Sequence, residues 1–149
     1  MLGMLGFRDH VASAQGLRNL LLRELPYRIF SESSIPLHLV CTDLVTGEEV
    51  VISEGEVIEA VIASTAIPGV FPSVLYHGRH LVDGAVSASK PISVAVRLGA
   101  TRVTVMPCGF ACATNNIPKR PWGPAMHAIT LMSARQLLRD FEYFLNQSS

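Results

Sequence analysis

The sequence predicts an α/β fold with a mainly parallel sheet. Short apolar runs rich in valine alternate along the chain with segments of helical periodicity, and glycine or proline marks most boundaries between them. The length of 149 residues suits one domain, and a fold of that size buries roughly 68–70% of its unfolded-chain surface. No internal repeat and no low-complexity segment interrupts the pattern.

The elements follow in order. Ser13 is placed to cap a helix carrying Leu17, Leu20, Leu21 and Leu25, and Pro26 stops it. The run 37–42 reads as a buried strand, Thr46-Gly47 as a turn, and 50–52 as a returning strand. The stretch 56–65 is alanine- and glutamate-bearing and predicts a helix, ended by Pro68-Gly69. Residues 74–76 and 80–82 form a hairpin about Gly78, and Asp83-Gly84 closes its second strand. Pro91 suits the first position of a helix through Leu98, with Gly99 just beyond. The β-branched stretch 102–106 predicts one more strand. The last helix sets Leu131, Ala134, Leu138, Phe141 and Leu145 on one stripe and Arg135, Arg139, Glu142 and Asn146 on another.

Composition excludes several functions. Twelve Lys+Arg balance twelve Asp+Glu, which removes the basic footprint of a nucleic-acid binder and of a polybasic membrane contact. The chain is 49% hydrophobic and 16% charged, with mean hydropathy +0.36, more interior than its own surface accounts for. The longest stretch free of formal charge, 60–78, contains two prolines and two glycines and fails as a transmembrane span. The start, 1–7, is too short for a secretory core, and Arg8 follows it rather than preceding it. Three cysteines, Cys41, Cys108 and Cys112, suit a reducing, cytoplasmic setting as buried thiols.

No metal site or cofactor is expected. His77 and His80 flank a turn without further ligands nearby, and Cys108 and Cys112 need two more than the sequence offers. Taken alone, Asp83-Gly84 is a turn. The serine elbow of many hydrolases requires Gly-x-Ser-x-Gly, because its strained turn tolerates only small flanking residues. No serine of this chain has glycine on both sides; Ser53 has Gly55 two residues on but Val51 two before. Gly3 and Gly6 are isolated, so no glycine-rich loop supplies oxyanion donors.

Three segments in order change this reading: Thr42-Asp43-Leu44-Val45-Thr46-Gly47, then 63–72 (Ala-Ser-Thr-Ala-Ile-Pro-Gly-Val-Phe-Pro), then Asp83-Gly84-Ala85. Together they resemble the C-terminal half of patatin-like phospholipases. The resemblance implies a three-layer α/β fold, of which 1–149 is a C-terminal portion, and a Ser–Asp dyad acting on lipid acyl esters. It puts the general base on Asp83. Ser89, two residues before Pro91, stands where the family often has asparagine.

The expected function is therefore part of a lipid acyl hydrolase that supplies the Asp but not the Ser. The alternative is a non-catalytic domain of the same family that binds lipid or a protein partner. The expected partner is a lipid ester substrate, with no nucleic acid and no integral membrane span. Self-association through an uncovered sheet edge is expected as well.

Overall fold

A computed structural model describes residues 12–87 and 91–106, together with helical positions 123, 124, 127, 128, 131, 132, 135, 138, 139 and 142. Ser89, Cys108, Cys112, Ala134, Phe141, Leu145 and Asn146 lie outside the described residues. The chain divides into two compact units, Met1–Ser87 and Ala88–Ser149.

The first unit opens with α1 (Gln15–Glu24). Its N-cap is Ala14 rather than Ser13, although the Ser13 hydroxyl accepts the Gln15 N–H at 3.2 Å. At the other end the Arg28 guanidinium donates to the carbonyls of Leu22 and Leu25, satisfying acceptors that the last turn leaves open. No residue of α1 is buried, so the helix depends on its neighbour. Arg18 grips Glu59 of α2 (Val57–Ser64) with both guanidinium nitrogens. Half-exposed pairs of this kind contribute about 1 kcal/mol at most.

Helix α2 is the core element: Val57, Ile58, Ala60, Ile62 and Ala63 are all buried. Val57, Ala60 and Ala63, spaced by three, are wholly inaccessible, and the two alanines let the helix lie close to a sheet. That sheet has four strands, β1 (Leu39–Asp43), β2 (Glu49–Ile52), β3 (Val74–Tyr76) and β4 (Arg79–Asp83), in the order β2-β1-β4-β3. Cys41, Ile52 and Leu81 join α2 and Phe30 in the core.

Every pairing in the sheet is antiparallel, which corrects the expectation of a mainly parallel sheet. The cause lies in the connections. β1 and β2 are joined by a tight turn, and β3 and β4 by His77-Gly78 alone, and links so short can only reverse the chain. The His77-Gly78 pair has φ +48° and +80°, the two positive values that a two-residue hairpin needs to match strand twist. Helix α2 does join two strands, but they are the opposite edges β2 and β3.

In the second unit, α3 (Pro91–Arg97) holds the buried Ile92 and Val94. Its end is closed by Ala100 N–H to Ala95 C=O and Gly99 N–H to Val96 C=O, a Schellman motif. The strand expected over 102–106 is absent: these residues are irregular, with Met106 83% exposed. Valine and threonine suit a strand, but β propensity reflects packing on a sheet more than the residue itself, and the four-stranded sheet does not include 102–106. Further on, Arg135, Arg139 and Glu142 are exposed as their stripe predicts, and Leu131 is half-buried. Leu138 is 63% exposed, against its expected place on the apolar stripe.

Candidate active site

Asp83 is the last residue of β4 and lies directly across from Cys41 of β1. The next residues turn sharply, and three interactions hold the turn. The Asp83 carboxylate accepts the Ala85 N–H at 2.8 Å, an Asx-turn. The Val86 N–H returns to the Asp83 carbonyl at 3.2 Å, and the Ser87 hydroxyl donates to the Gly84 carbonyl at 3.1 Å. Among the described residues, Ala85 is the one donor to this carboxylate.

Residues from all three motif segments meet here. The Thr42 hydroxyl donates to the Asp83 carbonyl at 3.0 Å and accepts the Ser87 N–H at 2.8 Å. Thr42 is 1% exposed, so both its donor and its acceptor are used where water cannot substitute. From the segment after α2, the Ala66 carbonyl accepts the Asp83 N–H at 3.0 Å. Ser64, at the end of α2, donates to the Val40 carbonyl at 2.8 Å. That same carbonyl is pressed against Gly84, where any Cβ would collide with it. The Asp-Gly pair is thus required by close approach of two backbones.

Asp43, in the first motif, has a different part. Its buried carboxylate accepts the N–H groups of Val45 and Thr46 at 2.9 and 3.3 Å, so it builds the β1–β2 turn. Cys41 is inaccessible, and burial, with the Asp83 charge adding to it, pushes the thiol up from 9.0 to about 12, the polar Ser64 side chain opposing weakly. A raised acid pKa adds stability that is complete below the unfolded value of 9.0 and is lost as pH climbs from 9 toward 12. Alkylation should follow suit. Iodoacetamide at pH 8 is expected to spare Cys41 in the folded chain and to modify it after urea unfolding; mass spectrometry of the Cys41 peptide decides, and rapid native labelling would contradict the burial.

Two open grooves, of about 300 and 250 Å³, share Ser53 and Glu54, and Asp83 lines neither. The larger one holds a pairing that the sequence reading missed: His38 Nδ1 lies 2.6 Å from the Ser53 hydroxyl. The signal was the register, since Leu39 faces Ile52 and the next pair outward is His38 with Ser53. Among the described residues no acid bonds to His38, so the pair lacks the orienting third group of an activated nucleophile. His77 occupies the hairpin turn with its ring edge-on to Tyr76 at 4.6 Å, and His80 sits 3.4 Å from the Ser73 hydroxyl. No group of three or more metal-ligating side chains occurs among the described residues.

A family model described as patatin-like phospholipase matches residues 3–96, more than half of the chain. This chain belongs to the patatin-like phospholipase family. The match takes in β1, α2, β4 and most of α3, and with them every residue of the patatin-like motif cluster around Asp83. The membership places the chain in a family of lipid acyl hydrolases. Among the described residues no helix of this patatin-like chain is long and apolar enough to cross a membrane.

Proposed function

We propose that this chain supplies the general base, Asp83, of a Ser–Asp lipid acyl hydrolase whose serine and glycine-rich oxyanion loop come from a patatin-like segment outside these 149 residues. The carrying observation is the convergence at Asp83: the other two motif segments, through Thr42 and Ala66, spend hydrogen bonds on the Asp83 backbone, and Thr42 also takes the Ser87 N–H beyond the turn. A turn alone requires none of that. With a serine placed against it, the carboxylate accepts the hydroxyl proton as the oxygen attacks the ester carbonyl, and returns it to the leaving alkoxide. The negative charge that develops on the carbonyl oxygen needs donors preorganised for it, and these belong to the same outside segment.

The test is complementation. The chain by itself is expected to hydrolyse short-chain aryl esters at background rate. Mixing it with a patatin-like segment that carries Gly-x-Ser-x-Gly and the glycine-rich loop is expected to produce turnover. Appreciable hydrolysis by the chain alone would show that it has a nucleophile of its own. Stable docking of the two parts without turnover would favour the second reading, a non-catalytic patatin-like domain that binds lipid or a protein partner.

A further inference from the structure

Neighbouring residues of a strand point to opposite faces of the sheet, so Cys41 and Thr42 of β1 look opposite ways. Cys41 joins α2 in the core. Thr42, on the other face, is just as inaccessible. The chain beyond Asp83 folds back to reach it. The Thr42 hydroxyl accepts the Ser87 N–H at 2.8 Å and donates its own proton to the Asp83 carbonyl at 3.0 Å. One oxygen atom thus holds both ends of the segment 83–87.

The chemistry of that bridge is restrictive. A backbone carbonyl can only accept and an N–H can only donate, so the bridging atom must do both, as a hydroxyl does. Valine has nearly the same shape and can do neither. Without the hydroxyl, the Asp83 carbonyl keeps the Val86 N–H at 3.2 Å, a bond made within the turn itself. The Asp83 carboxylate depends on the same turn, because its donor, the Ala85 N–H, lies between the two bridged ends.

We propose that Thr42 is the positioning residue of this site: its buried hydroxyl, bridging the Asp83 carbonyl and the Ser87 N–H, fixes where the Asp83 carboxylate points. This role rests on the reading of Asp83 as general base. Thr42 itself takes no part in the proton transfer and acts through the turn. Misplacing a reacting group by about 1 Å can cost roughly 10²-fold in rate, so a bridge remote from the ester still bears on turnover.

Three variants of the complemented hydrolase test this. Thr42→Val is expected to lower kcat for an aryl ester by about 10²-fold with KM unchanged. Thr42→Ser keeps the hydroxyl and gives up a buried methyl, so it should retain most of kcat while melting lower than the parent. Thr46→Val is the control. It makes the same chemical change where the hydroxyl is exposed and accepts the Glu48 N–H within the β1–β2 turn, and kcat should not move. The chain alone gives a readout without hydrolysis. In Thr42→Val, amide exchange followed by NMR should quicken roughly tenfold or more at Ser87, which loses the Thr42 acceptor, and also at Ala85, whose acceptor is the Asp83 carboxylate.

Unchanged Ala85 exchange in folded Thr42→Val would overturn the proposal, because the carboxylate would then be held without the bridge. A kcat loss in Thr42→Ser as large as in Thr42→Val would overturn it too, since packing rather than the hydroxyl would be at work. Should Thr42→Val fail to fold, Thr42→Ser decides: parental Ala85 exchange and kcat support the bridge, and loss of either rejects it. Faster Ala85 exchange in Thr42→Val, together with full activity in an Asp83→Asn complex, would reject the dyad and leave the positioning of the carboxylate standing.

Discussion

Replacing Asp83 by asparagine is expected to slow the complemented hydrolase by about 10²–10⁴-fold, the usual contribution of a positioned general base. The substitution keeps the size of the side chain and an oxygen able to accept the Ala85 N–H, the bond that shapes the turn. The Asp83 carbonyl and N–H, held by Thr42 and Ala66, are backbone groups and remain. What disappears is the acceptor for the serine proton. The loss should therefore fall on kcat for an aryl ester while the urea midpoint of the chain stays within the range of a surface substitution, about ±0.5 kcal/mol. Full activity in a folded Asp83→Asn complex would remove Asp83 from the mechanism. A large loss of stability would show that the carboxylate is structural before it is chemical.

Gly84→Ala carries the largest expected effect on folding. Its new Cβ meets the carbonyl of Val40, a backbone group of β1 that is itself hydrogen-bonded by Ser64. Neither atom has a flexible side chain's freedom to swing aside, so the strand or the turn must shift. Overpacking costs about 1–3 kcal/mol and sometimes more, which at roughly 2–4 °C per kcal/mol is visible in a thermal melt. Gly16→Ala is the matched control. It lies inside α1 with nothing near its added methyl, and alanine there should stabilise by about 0.5–1 kcal/mol. Opposite signs for the same chemical change would tie the Asp-Gly motif to a packing constraint. Equal signs would mean that the Gly84 contact relaxes freely.

The local pattern of this chain was largely legible from residues close together. Pro26 ends a helix, Thr46-Gly47 and Gly78 reverse the chain, and Gly99 follows α3, because each rests on φ limits or missing donors that belong to the residue itself. Strand direction was not legible in that way. The alternation of strands with helices is shared by parallel and antiparallel sheets. Here the β1–β4 pairing joins segments about forty residues apart, beyond the reach of any local signal. The β-branched stretch 102–106 shows the same limit from the other side, since its propensity points to a strand and yet it is irregular in the folded chain.

For the site, the residue types and order around Asp83 were enough to suggest the family, and the motif match from residue 3 to 96 shows it. The reasons for those residue types emerged only from the folded chain. Thr42, the nearby Ser64 and Ala66, and Gly84 come from three separate stretches of the sequence, and each gains its meaning from a backbone group contributed by another stretch. Identity at a position is a covalent property, carried along the chain. A hydrogen bond across β1 and β4, or the space denied to a Cβ by Val40, belongs to two segments at once, and packing alone brings them within reach.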